Sequence, residues 1–140
     1  MKRKIILASH GELSKGLADT ARMIIGNVAA EIECYCLRPG QTADSLFAKE
    51  LTAEILAEPE QEFVILSDLY GASVCSALSA LLVYPNVRLF TGMNINMLLV
   101  ICLEYPEKLR DEDIQKIVLD ARSGIKALSA SDLAVDAEDF

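Results

Sequence analysis

Short apolar runs alternate along the chain with stretches whose apolar residues recur at helical spacing. Lys4–Ser9 (KIILAS) reads as a strand; after it Leu13, Leu17, Ala21 and Ile24 fall on one helical face, which Gly26-Asn27 terminates. Ile32–Leu37 (IECYCL) reads as a second strand. Arg38-Pro39-Gly40 then turns into a helix with Thr42 as its cap and Phe47, Leu51 and Ile55 on one face, ended by Pro59. Phe63–Ser67 (FVILS) is the most strand-like segment and precedes an Ala/Leu-rich helix over Ser73–Leu82. Pro85-Asn86 leads into a fourth strand, Val87–Thr91 (VRLFT), and a helix is predicted over Asn96–Tyr105. The last periodic segment, Asp111–Lys126, puts Ile114, Ile117, Val118, Ala121 and Ile125 on one stripe, with acids in its first turn to complement the helix dipole.

The order is therefore βαβαβαβα. Strands that are apolar on both faces and separated by helices predict an α/β fold: a doubly wound, open parallel sheet with helices on both faces. With 140 residues the chain suits one domain, and no repeat or linker divides it. The expected domain is 1–128; residues 129–140, which include the acid-rich SDLAVDAEDF, read as a solvated acidic tail.

Charge narrows the partners. A net charge of −8 with no basic stripe argues against nucleic acid and against direct binding to an anionic membrane surface. The apolar run after Met-Lys-Arg-Lys is too short for an export signal, and Met97–Leu103 is far short of a membrane span. A cytoplasmic protein is the expectation. Four cysteines (Cys34, Cys36, Cys75, Cys102) lack a second pair at ligand spacing and a histidine beside them, so no metal site is expected; they read as buried, reduced thiols.

In an open parallel sheet, ligands gather at the carboxyl ends of the strands. Three strand ends carry chemistry here: Ser9-His10-Gly11, the SDLYGAS of Ser67–Ser73, and the TGMNINML of Thr91–Leu98. His10 is the only histidine of the chain. A lone histidine is commonly structural, but a strand-end loop exposes the ring. Gly11 also lets a bulky tetrahedral group approach the backbone, and the following helix offers an electropositive end. Such an imidazole can act as base, ligand or nucleophile. Asp68, ordinarily a turn or cap residue, would fix the tautomer of that ring and stabilise it when an electrophile adds. Ser73 is either a helix cap or a donor to an incoming phosphate.

Several classes are excluded. The first strand is followed by neither G-x-G-x-x-G nor a Walker sequence, and no G-x-S-x-G elbow is present. A histidine phosphatase needs a neighbouring Arg and a second His. A response receiver needs acids where Ala8-Ser9 stand. What survives is one histidine able to take a group and pass it on.

Three blocks, in order and each at a strand end, resemble the mannose-type EIIA component of the phosphoenolpyruvate-dependent sugar phosphotransferase system: His10-Gly11, Asp68-Leu69-Tyr70-Gly71-Ala72-Ser73, and Gly92-Met93-Asn94-Ile95-Asn96-Met97. The resemblance covers about Lys4 to Leu128. It implies a sheet of order 2-1-3-4, with room for one extra antiparallel strand near the C-terminus, and a homodimer. It also implies that His10 takes a phosphoryl group from HPr and passes it to a separate EIIB. Asp68 would orient the ring, while Gly11, Gly71 and Ser73 would bind the phosphate. No cofactor is implied, and the membrane is reached only through the permease complex. The phosphotransfer subunit of a dihydroxyacetone kinase system shares the fold and the histidine. A non-catalytic regulatory module on the same fold is a further alternative. The chain departs from the family pattern at Ala72 (second glycine), Val74 and Asn96 (both prolines), positions expected on the rim where a partner sits. A left-handed Ala72 would carry about 1 kcal/mol of strain.

Overall fold

A computed structural model of the chain describes residues 2–28, 31–43 and 47–133. Among them, four strands, β1 (Arg3–His10), β2 (Glu31–Leu37), β3 (Glu62–Ser67) and β4 (Val87–Phe90), form one sheet in the order β2-β1-β3-β4, all pairs parallel. The helices are α1 (Leu13–Ile25), α2 (Lys49–Ala57), α3 (Ser73–Ser79), α4 (Ile95–Glu104) and α5 (Asp111–Ser123).

The strand sequences explain the layering. Six consecutive residues of β1 are buried, as are all six of β3, so both are central strands covered on each face. Their alternation divides the interior in two. Ile5, Leu7, Val64 and Leu66 face α1, α4 and α5; Ile6, Ala8, Phe63 and Ile65 face α2 and α3. Each fully buried Ile or Leu contributes about 1.5–3 kcal/mol relative to an exposed position. The connection from β1 to β2 runs one way across the sheet. Those from β2 to β3 and from β3 to β4 run the other way, so their helices lie on opposite faces, as right-handed crossovers require. The reversal puts the switch point between the carboxyl ends of β1 and β3.

Several expectations are corrected. On α1 the buried residues are Ser14, Ala18 and Ala21, whereas Leu13 and Ile24 are half-exposed and Leu17 half-buried. Small side chains let the helix lie close to the sheet and tilt the predicted stripe to its edge. The third helix ends at Ser79 and tightens into a 3-10 turn over Ala80–Val83. The fourth begins at Ile95, because Asn94 caps it by accepting the Met97 N–H at 2.8 Å. The fifth stops at Ser123, before Gly124, and leaves Ile125 exposed. The extra antiparallel strand near the C-terminus is not among the described residues: after α5 the chain is irregular, then turns helically over 130–133. Residues 44–46, whose backbone N–H groups a Thr42 cap would hold, lie outside the described residues, as do 134–140 of the tail. Phe47, Leu51 and Ile55 are buried on one face, as predicted. Of the cysteines only Cys75 is buried; Cys34, Cys36 and Cys102 are half-buried, and all four are free thiols. Among the described residues, no helix is long and apolar enough to cross a membrane.

Candidate functional site

His10 is the last residue of β1, and Asp68 follows the last residue of β3. Because these strands are neighbours, with Ala8 opposite Ser67, the two side chains meet at the switch point. Asp68 Oδ2 accepts the His10 backbone N–H at 2.8 Å and lies 2.9 Å from His10 Nδ1, while Oδ1 accepts the Leu69 N–H at 2.9 Å. A carboxylate can only accept, so Nδ1 carries the proton and the lone pair stays on Nε2. Burial alone would raise the Asp68 carboxyl, but the hydrogen bonds from the His10 backbone and ring and from the Leu69 backbone hold it below the usual carboxylate range. The pair is asymmetric: the His10 side chain is 49% exposed, that of Asp68 only 11%.

The imidazole opens onto a groove of about 430 Å³ lined by His10, Gly11, Leu37, Arg38, Pro39, Gly40, Gln41 and Ser73. Of the residues singled out in the sequence, the structure therefore brings together His10, Gly11 and Ser73 at the groove, with Asp68 behind the ring. Gly71 is not part of the lining. Its φ of +78° instead makes the sharp turn after β3, closed by the Ala72 N–H on the Leu69 carbonyl at 3.3 Å. Gly11 also requires its positive φ of +57°, and its N–H is already taken by the Leu37 carbonyl at 2.8 Å. Its contribution to the groove is thus shape, not a free donor. Ser73 is the first residue of α3; Ala72 holds the cap position and no side chain caps that helix, so the helix-cap reading of Ser73 does not hold.

Three departures from the family pattern also resolve. Ala72 is extended (φ −79°, ψ 172°), so it carries no left-handed strain. Val74 is fully buried in the core with Ile6, Phe63 and Leu78 rather than on a rim. Asn96 packs over the end of α5: a Cβ on Gly124 would fall 1.3 Å from its Nδ2. Of the three changes only Val74 is interior packing; Asn96 is half-buried.

Sequence reasoning missed the residues that hold the loop from beneath. Ser9 is fully buried; its Oγ accepts the Ser14 N–H at 2.9 Å and lies 2.7 Å from Ser14 Oγ, so Ser9 closes the start of α1 where Glu12 does not. Ser67 Oγ donates to Thr91 Oγ1 at 2.9 Å, and the Ser67 carbonyl accepts the Met93 N–H at 3.0 Å, tying the second and third blocks together. A serine directly before each strand-end residue was the available signal. Among the described residues no His/Cys/Asp/Glu group could hold a metal ion. A groove of similar size between α4 and α5, about 400 Å³, offers Glu104 and Asp120 but neither an imidazole nor a cation.

Fold and site together define a class: a doubly wound α/β domain with a carboxylate-oriented imidazole at the switch point of its sheet. The profile of the EIIA-man family, described as "PTS system fructose IIA component", matches residues 4–118. The chain belongs to this mannose-type EIIA family of phosphotransferase-system components. The mannose/sorbose-specific IIA subunit of the phosphotransferase system from Enterococcus faecalis is 25% identical, with a TM-score of 0.75 over 92% of this chain and 96% of that one. The PTS IIA protein associated with the fucose utilization operon of Streptococcus pneumoniae is 29% identical, with a TM-score of 0.73 over 91% and 93%. An EIIA component from Streptococcus agalactiae shares the fold at 22% identity, with a TM-score of 0.75 over 89% and 96%.

Proposed function

We propose that the chain is a phosphohistidine carrier that takes a phosphoryl group from HPr on His10 and passes it to a separate EIIB during sugar uptake, in the cytoplasm. The observation that carries this reading is the His10–Asp68 contact through Nδ1, which leaves Nε2 without a partner among the described residues, beside an open groove. The Nε2 lone pair forms a bond to phosphorus as the P–N bond of the donor breaks, its electron pair returning to the donor ring. No proton need move: Nδ1 keeps its hydrogen, and the imidazolium so formed faces the Asp68 carboxylate. The reaction then reverses toward EIIB. With the energy already held in the P–N bond, catalysis is positioning and charge stabilisation. Ser73 supplies a hydroxyl to the bound phosphoryl, and Gly11 the room for it.

The test is intact mass after incubation with phosphoenolpyruvate, enzyme I and HPr, on wild type and His10→Ala. One acid-labile phosphate on the wild type alone, chased off by EIIB, is the expected result. Chase by a dihydroxyacetone kinase instead would reassign the acceptor. No added mass on the wild type, with donors active on a control EIIA, would point to a regulatory module.

A further inference from the structure

Resting on the carrier reading, we propose that Arg38 is a phosphate-binding residue that exchanges partners: Glu12 in the free protein, the phosphoryl group on His10 in the charged one. The chain between β2 and α2 holds the base of this residue in place. Arg38-Pro39-Gly40-Gln41 forms a tight turn, closed by the Gln41 N–H on the Arg38 carbonyl at 3.1 Å, with Gly40 at φ +85°. The Gln41 side chain accepts the Arg38 backbone N–H at 2.8 Å. Gly11 donates to the Leu37 carbonyl, so this turn is fastened to the loop that carries His10. The base of Arg38 is therefore fixed, and the residue lines the same groove as the imidazole.

Its guanidinium, by contrast, is loosely held. The side chain is 45% exposed, and its one ion pair among the described residues, to Glu12 Oε2, is long at 3.5 Å with a Glu12 side chain 64% exposed. Such a pair is worth little and is readily given up. Among the described residues, Arg38 is also the only permanent cation lining the groove. Phosphorylation of Nε2 would bring a dianion into a chain of net charge −8, close to Asp68 and Glu12. A planar guanidinium donates two parallel hydrogen bonds to phosphate oxygens and is the natural counter-charge. Glu12 then has two effects: it parks Arg38 near the groove before transfer, and it competes for Arg38 afterwards.

The experiment measures the equilibrium constant for phosphoryl exchange between HPr and wild type, Arg38→Ala, Arg38→Lys, Glu12→Gln and the Arg38→Ala/Glu12→Gln double variant. An equilibrium constant depends on the free and phosphorylated carriers and not on how the donor docks, so it isolates contact with the phosphoryl group. The expected result is that Arg38→Ala shifts the equilibrium about tenfold toward phospho-HPr, the scale of a charge-assisted hydrogen bond at a half-exposed site. Arg38→Lys should recover part of the loss. Glu12→Gln should shift the equilibrium toward the carrier, and by less when Arg38 is absent. The effect of Arg38→Ala should shrink in high salt. A phosphorylated Arg38→Ala protein with an unchanged equilibrium constant would overturn the inference, and a change in rate alone would assign Arg38 to donor docking. A wild type that takes no phosphate would overturn the carrier reading, and this inference with it.

Discussion

At the amino end of the sheet, Arg3 and Glu62 form an ion pair at 2.7 Å with side chains only 7% and 3% exposed. Arg3 also donates to the carbonyls of Tyr105, Ile101 and Glu107, and the second Glu62 oxygen accepts the Leu109 N–H at 2.8 Å. Beside it, Lys4 is shared by Glu33 and Glu54. At the carboxyl end of the same two strands, the His10–Asp68 pair engages both oxygens of the carboxylate but leaves one ring nitrogen open at a groove. Both ends join a basic side chain on β1 to a carboxylate at β3. The difference is completeness: every side-chain nitrogen and oxygen of the buried Arg3–Glu62 pair has a partner, whereas the other pair exposes a single reactive one. A closed network serves the fold, whereas an open one is available for chemistry.

Breaking the closed end should give the largest effect. Glu62→Ala leaves Arg3 buried without its carboxylate and should cost about 3–5 kcal/mol of stability, read by urea denaturation. Its damage to phosphoryl transfer should follow from lost fold alone. A Glu62→Ala protein as stable as wild type would remove the distinction between the two ends.

At the open end, Asp68→Asn should leave the fold nearly intact but slow phosphoryl transfer by on the order of a hundredfold, since the ring loses the group that fixes its tautomer and steadies its positive charge. Stopped-flow transfer from phospho-HPr measures this. A loss confined to stability, with the rate unchanged, would make Asp68 structural like Glu62.

Acid sharpens the same contrast. The folded Asp68 carboxyl titrates below its ordinary value of 3.8. Its stabilising contribution is therefore complete above pH about 4 and is lost only as pH falls through the lower, folded value. The Tm difference between wild type and Asp68→Asn should be constant above pH 4 and shrink below it. The smallest effect belongs to Gly71→Ala, where φ of +78° strains any side chain while the space around it is open; about 1 kcal/mol is expected from thermal melts.

Much of this was legible in the sequence for a physical reason. A fully buried parallel strand must be apolar throughout, so β1 and β3 stand out, and a polar residue just past such a run lies at the carboxyl edge of the sheet. That logic places His10 and Asp68. It fails for Ser9 and Ser67, polar residues inside the strands whose burial is tolerated only because Ser14 and Thr91 meet them across the fold. It fails for Arg38 too, since the closeness of β2 to the histidine loop depends on the register that sets His10 against Leu37. The stripe on α1 misled because helix-to-sheet contact here favours small residues, and size-based periodicity weights Leu13 and Ile24 over Ser14 and Ala18. The rim expectation fails for Val74 because a substituted proline shows only that a helix start has changed, not which way the new side chain points.

The most direct test of the account is where on the protein the phosphate sits. Nitrogen-15 and phosphorus-31 NMR of the protein charged by phospho-HPr distinguishes the two ring nitrogens of a phosphohistidine. The geometry predicts a single phosphate on His10 Nε2, with the Nδ1 proton retained and directed at Asp68. Phosphate on Nδ1, or on any other residue, would contradict it.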